Sequence, residues 1–317
     1  MPDRETTEVA VIGTGAVGSA YAFALTLSGL ARRILLVDKN RARAEGEAMD
    51  LTHGAPFARP CEVRAADYTD LSEPDLIVIC AGVPQRPGES RMDLLRRNLD
   101  VFREVTERIC EHNSQGVILV VTNPVDVLTY ATLTFSKRHP ASVIGSGTVL
   151  DSARFRSLLA QHCGVDARNV HGHVVGEHGD SEVVLWSKAT IAGTPIADYS
   201  PLTGQPLDGD LRRRIEEDVR RAAYRIIEKK GYTSTAVAMS LLRITESVLR
   251  DQRSILSVSR LVENYYGIHS VCLGLPTVVG REGAISPLLL PLTEEEVLLL
   301  QRSAATIRQA LDEVGIS

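Results

Sequence analysis

The sequence predicts an α/β protein: a doubly wound parallel sheet over residues 7–146, then an α+β domain with antiparallel sheet over residues 147–317. Three observations carry that expectation. Five short apolar runs in the first half each end in Gly, Asp or Asn-Pro. The segments between them repeat apolar residues every three to four positions, so strand and helix alternate and right-handed crossovers make the strands parallel. After about residue 147 the texture changes to helices mixed with hairpin-like strands.

In order, the runs are TEVAVIG, RRILLVD, DLIVICAG, GVILVVTNP and SVIGSG. Strands this uniformly apolar require cover on both faces. SAYAFALTLSGLARR, RARAEGEAMDLTHG and RMDLLRRNLDVFREVTERICEHN supply helices for it. In the second half DSARFRSLLAQHCG and LRRRIEEDVRRAAYRIIEKKG read as helices, while NVHGHVVGEHG, ATIAGTPIA, SILSVS and HSVCLGLPTVVGREGAIS read as strands and hairpins. Glu216–Arg220 and Glu217–Arg221 stand at i,i+4 spacing, which suits a solvated helix face. Thr293 before three glutamates caps a final amphipathic helix. No repeat or low-complexity linker intervenes, so the two domains are expected to share a tight interface.

Of 317 residues, 44% are hydrophobic and 24% charged, ordinary for a globular protein with a sizeable core. A net charge of −5 argues against nucleic acid or an anionic membrane as partner. Neither a signal sequence nor an apolar run of membrane-spanning length is present. Five scattered cysteines without a C-x-x-C pair read as free thiols in a reducing compartment, and the expected location is cytoplasmic.

Chemistry begins at Gly13-x-Gly15-x-x-Gly18, between the first strand and first helix. Glycines there permit a tight turn, close backbone approach to a pyrophosphate and near packing of helix on strand, and the helix N-terminus offers free N–H groups to phosphate. Twenty residues beyond Gly18, Asp38 ends the second strand. A carboxylate there accepts from a ribose 2′-hydroxyl and repels a 2′-phosphate, favouring NAD; Arg41 and Arg43 leave some NADP use open. The sheet is therefore expected to be Rossmann-type.

AGVPQRPGESR, VTNPVD, GSGTVLDSARFR and GEHGDSE follow in that order along the chain. Together with the glycine turn they resemble the L-lactate and malate dehydrogenase family, nearly end to end. Singly, His178 would be an ordinary loop histidine, Asp151 and Arg154 a helix ion pair, Arg91 a loop cation and Asn123 a strand exit; the joint pattern gives them weight. The resemblance implies that His178 is the proton acceptor and donor, suited to both directions because histidine titrates near neutrality. It implies that Asp151 holds the imidazole and that Arg154 clamps the substrate carboxylate with a two-pronged bond. It assigns Arg91, on a closing loop, to the substrate carbonyl, and Asn123 to positioning substrate and nicotinamide. Val17, Arg43, Gly82, Val83, Val121 and Ser146 are implied around the dinucleotide, along with the residues above.

Gln85 bears on the substrate. In the resembling family this position is glutamine in the lactate branch and arginine in the malate branch, because a second carboxylate buried without a cation is costly. Thr233 matches a residue bordering the methyl group of pyruvate. Both favour pyruvate and L-lactate over oxaloacetate and malate, although Arg86 stands next to Gln85. Arg156 and His171 match residues that bind fructose 1,6-bisphosphate across a subunit interface in allosteric bacterial members, and the family implies a homotetramer. His171-x-His173 with His178 does not make a zinc pattern, and the chemistry needs no metal. A rival of another class is a dinucleotide-binding structural or regulatory protein without catalysis.

Overall fold

A computed structural model describes residues 7–316 other than Gln85 and Pro87; the Arg91 side chain also lies outside the described part. The first half forms β1 (Glu8–Ile12), α1 (Ala16–Ser28), β2 (Arg33–Val37), α2 (Arg41–Gly54), β3 (Glu62–Ala65), β4 (Leu76–Ile79), α3 (Arg91–His112), β5 (Val117–Val120), α4 (Val125–Ser136) and β6 (Val143–Gly145). Then come α5 (Val149–Cys163), the short strands β7 (Val170–His171), β8 (Val174–Val175), β9 (Val183–Val184), β10 (Thr190–Ile191) and β11 (Thr194–Pro195), and the helices α6 (Gly209–Lys230) and α7 (Thr235–Leu249). The chain finishes with β12 (Ser254–Val262), β13 (Val271–Gly280), β14 (Gly283–Pro287) and α8 (Glu294–Glu313).

The parallel strands stand in the order β3-β2-β1-β4-β5-β6, the Rossmann arrangement with its switch point between β1 and β4. All five expected strands form. A sixth, β3, escaped the sequence reading because EVRA is half-exposed at the sheet edge and carries two charges in four residues. Successive residues alternate between the two faces. Ala10, Ile12, Ile77, Ile79, Ile118 and Val120 pack towards α3, α4 and α8, while Val9, Val11, Ile34, Leu36, Val78 and Leu119 pack towards α1 and α7. Leu36 and Ile77 are fully buried, and truncating either to Ala would cost about 2–5 kcal/mol.

Antiparallel pairing fills the second half: β7, β10 and β11 form one small sheet and β8 and β9 another, but the long β12-β13-β14 hairpins do not form a sheet of their own. β12 pairs antiparallel with β6 through Ser259 and Gly145, so β14-β13-β12 extends the parallel sheet to nine strands. Helices of the second half also cover the first: α7 packs on α1, where the buried Tyr21 and Thr245 hydroxyls lie 2.6 Å apart. A separate cluster joins α5, α6 and the small β11-β10-β7 sheet around Phe155, whose ring meets Trp186 edge-on at 5.0 Å.

Of the expected ion pairs on α6, Glu217–Arg221 is present at 2.9 Å. Glu216 instead accepts from the Trp186 indole N–H at 2.6 Å, and Arg220 turns to Glu217 at 3.4 Å. Thr293 and Glu296 form the reciprocal cap expected for α8. All five cysteines are free. Among the described residues, no helix is long and apolar enough to cross a membrane.

Candidate active site

The glycine turn is shaped by contacts that exclude side chains. Gly13 has φ +97°, and a Cβ there would stand 2.6 Å from the Ala81 backbone nitrogen at the exit of β4. A Cβ on Gly18 would collide with the Gly13 carbonyl oxygen. Gly15, by contrast, faces open space at the N-terminus of α1, a terminus that no side chain caps. Open space beside uncapped N–H groups is what a diphosphate needs, so the turn fits a dinucleotide. Asp38 is tied to the same turn: one carboxylate oxygen accepts from the Thr14 N–H and hydroxyl at 2.8 and 3.0 Å, the other from the Asn40 N–H at 2.9 Å. Burial pushes its pKa up, but these bonds outweigh that and hold it below the usual carboxylate range. Val83 donates its N–H to Asn98 at 2.9 Å, and a Cβ on Gly82 would stand 2.7 Å from Thr122. Arg43 is exposed in the first turn of α2.

At the carboxyl ends of β4, β5 and β6 lies a cleft of about 280 Å³. Its walls include seven of the residues singled out from sequence: Val17, Val121, Asn123, Ser146, Arg154, His178 and Thr233. Their convergence from elements more than two hundred residues apart is the feature that spacing alone did not guarantee. Arg91 begins α3, directly after the 81–90 loop, but its side chain and Gln85 lie outside the described residues. Glu89, bonded to Arg97 at 2.6 Å, and Ser90, capping α3, hold the end of that loop.

His178 is fixed from three sides. The loop carrying it leaves β8 through Gly176, at φ +91°, which exchanges backbone hydrogen bonds with Gly274 of β13 at 2.9 Å each way. The His178 N–H donates to Asp126 of α4 at 2.7 Å. Its ring Nδ1 lies 2.6 Å from a carboxylate oxygen of Asp151, whose other oxygen accepts from Arg154 at 2.7 Å. Asp151 is 1% exposed. Burial pushes its pKa up, but His178 and Arg154 bring it below the ordinary value, so it is an acceptor only and Nδ1 carries the proton. That tautomer leaves Nε2 for the chemistry. Burial alone would lower the imidazole pKa; the Asp151 charge and hydrogen bond reverse this and raise it to about 9.

Two acids beside this centre were missed. Asp126 is 2% exposed, and burial pushes its pKa up to about 6. Glu182, 7% exposed, has its pKa raised by burial and by Asp151. Read in sequence, both are ordinary acids in a helix start and a loop, and only the fold reveals their burial. Ala223 and Ile227 of α6 also line the cleft, so the helix read as a solvated charged face turns its apolar flank to the site.

Arg156 and His171 do not line this cleft. Arg156 is half-buried with its Nε shut from solvent and unpartnered, and burial and Arg243 both disfavour its charge. His171 is exposed on β7, and His173 is pushed down to about 4 by burial and by the Arg156 and His171 charges.

Comparison with known proteins identifies the family. Residues 7–145 match the model of the lactate/malate dehydrogenase NAD binding domain, and 148–315 that of the lactate/malate dehydrogenase alpha/beta C-terminal domain. The chain is 48% identical over 309 residues to the L-lactate dehydrogenase of Thermoanaerobacter sp. (strain X514), covering 98% of this chain and 99% of the relative. It is 45% identical over 311 residues to L-lactate dehydrogenase 1 of Clostridium acetobutylicum, with 98% and 99% covered. Among solved structures, a lactate dehydrogenase from a Medee basin deep-sea metagenome library superposes with a TM-score of 0.95 at 40% identity, covering 98% of this chain and 99% of that one. The minor L-lactate dehydrogenase of Enterococcus mundtii gives 0.94 at 34% identity, with 97% and 98% covered. With both halves matched and identities above 40% sustained along almost the whole length, this chain belongs to the lactate/malate dehydrogenase family.

Proposed function

We propose that the protein is an NAD-dependent L-lactate dehydrogenase that interconverts pyruvate and L-lactate, with residues 7–146 holding the dinucleotide and 147–317 completing the substrate site. The observation that carries this reading is the Asp151–His178 pair opening onto a cleft that also holds Arg154. Bound NAD supplies the hydride acceptor, and NADH the donor, at the substrate carbon.

The protein's own residues do the rest. Gly13, Gly15 and Gly18 shape the diphosphate cradle, and Asp38 receives the adenosine ribose hydroxyls. Val17, Arg43, Gly82, Val83, Val121, Asn123 and Ser146 complete the cofactor contacts. Arg154 already donates to Asp151; its remaining N–H groups engage the substrate carboxylate, placing the reacting carbon beside His178. In oxidation the neutral imidazole takes the hydroxyl proton through Nε2, and Asp151 stabilises the cation that forms. In reduction the charged ring returns that proton to the carbonyl oxygen. Arg91 polarises that carbonyl as the 81–90 loop closes and excludes water.

The preference for pyruvate rests on Gln85, a neutral residue where oxaloacetate would need a cation, and on Thr233 at the cleft wall. The assembly is a cytoplasmic homotetramer in this reading. Fructose 1,6-bisphosphate binds at Arg156 and His171, and an anion there would relieve the mutual repulsion of Arg156 and Arg243. An NADH-oxidation assay comparing pyruvate with oxaloacetate, with and without the bisphosphate, tests these points together. Faster turnover of oxaloacetate would reassign the substrate. An unchanged half-saturation for pyruvate at neutral pH would remove the effector.

A further inference from the structure

Glu182 sits four residues past His178, just before β9. One of its carboxyl oxygens, Oε1, is shut from solvent and has no hydrogen-bond partner. One carboxyl oxygen each of Glu182 and Asp151 and a ring nitrogen of His178 all lie within 4.8 Å of one another. A buried carboxyl with an unmet oxygen beside a carboxylate is cheaper protonated, whereas a charged imidazole draws it towards ionisation. Charges act on Glu182 from Asp151 and Arg154 on α5, His178 in the same loop and Arg220 on α6, while Asp126 on α4 acts on His178 and is itself faced by Glu177. Arg220 and Arg154 favour the ionised acid, while Asp151 opposes it.

From this arrangement we propose that Glu182 is a positioning residue for proton transfer, a buried acid whose charge governs how tightly His178 keeps its proton. Below neutrality Glu182 is neutral, and Asp151, joined by Asp126 above about pH 6, balances the imidazolium. As the pH rises Glu182 ionises, and its added negative charge retains the proton on His178 that pyruvate reduction consumes. The two groups therefore titrate as a coupled pair. No covalent step is involved, and Glu182 does not touch the substrate.

The inference rests on the function proposed above, but its test need not. In the cofactor-free protein, the His178 ring signal is followed by NMR against pH and assigned by its loss in His178→Asn. Glu182→Gln keeps the shape and removes the charge, so the His178 midpoint should fall by about one pH unit. Glu182→Asp should fall between the two. In turnover, the alkaline limb of kcat/KM for pyruvate moves to lower pH in Glu182→Gln by the same amount, while kcat below neutrality stays within about twofold. A purely structural role would leave the midpoint in place, and a shift under about 0.2 unit overturns the proposal. Should Glu182→Gln not fold, wild-type protein labelled with [5-13C]glutamate decides: one carboxyl signal must titrate well above pH ~6, and none doing so also overturns it. If wild-type protein fails to reduce pyruvate, the functional reading falls while these titrations still report on Glu182.

Discussion

The two walls of the cleft are made of different material. On one side, the turn at residues 13–18 and the exits of β4 and β5 present backbone, glycine and apolar side chains such as Val17 and Val121. On the other lies the His178 ring, a quarter exposed, with Asp126, Asp151 and Glu182 behind it nearly out of contact with water. The first wall is determined by steric exclusion and is indifferent to pH. The second is determined by mutual compensation of charge, so each group's state depends on the others. If, as proposed, one wall binds the cofactor and the other moves a proton, the second can change without loosening the first.

That contrast is best broken at His178. His178→Asn keeps a donor near Asp151 but cannot relay a proton, so turnover should fall about 10³-fold, within the range attributed to acid–base groups. NADH binding, followed by fluorescence, should hold within about twofold if the walls are independent. Arg154→Lys comes next: a point charge cannot replace the planar fork, and the KM for pyruvate should rise at least ~10-fold in steady-state kinetics. On the cofactor wall, Gly13→Ala meets Ala81 in a left-handed conformation and should lower stability by about 2 kcal/mol in chemical denaturation. Gly15→Ala projects into open space, so its melting temperature should match wild type while NADH affinity drops. Equal destabilisation by both would refute the steric account. The mildest effect is pH itself. Because the His178 pKa is raised to about 9, its charged form persists below that value. Pyruvate reduction should therefore decline as pH rises through about 9, lactate oxidation should gain over the same window, and NADH affinity should stay flat.

The same division explains what the sequence disclosed. The cofactor wall is local: strand, Gly13-x-Gly15-x-x-Gly18, helix and Asp38 occupy about one strand–helix–strand unit, where Gly13 and Gly18 each answer a nearby backbone and Gly15 leaves open space. Apolar runs exposed five of the six parallel strands, and only charged, half-exposed β3 stayed hidden. The wall of buried acids around His178 is assembled from α4, α5, the 176–182 loop and α6. There, motif resemblance found His178, Asp151 and Arg154, but nothing in the spacing of Asp126 or Glu182 announced that folding would strip them of water. Likewise the pairing of Ser259 with Gly145 leaves no local trace, because non-adjacent strands choose partners through the whole core.

That pairing limits how the molecule can be divided. Severing the chain near residue 147 would strip β12 from the edge of β6, α7 from one sheet face and α8 from the other. The first half alone would carry a raw strand edge flanked by uncovered apolar surface, a template for aggregation. Recombination or truncation at this boundary is therefore expected to yield insoluble fragments. In this chain the smallest inheritable module is the entire sheet.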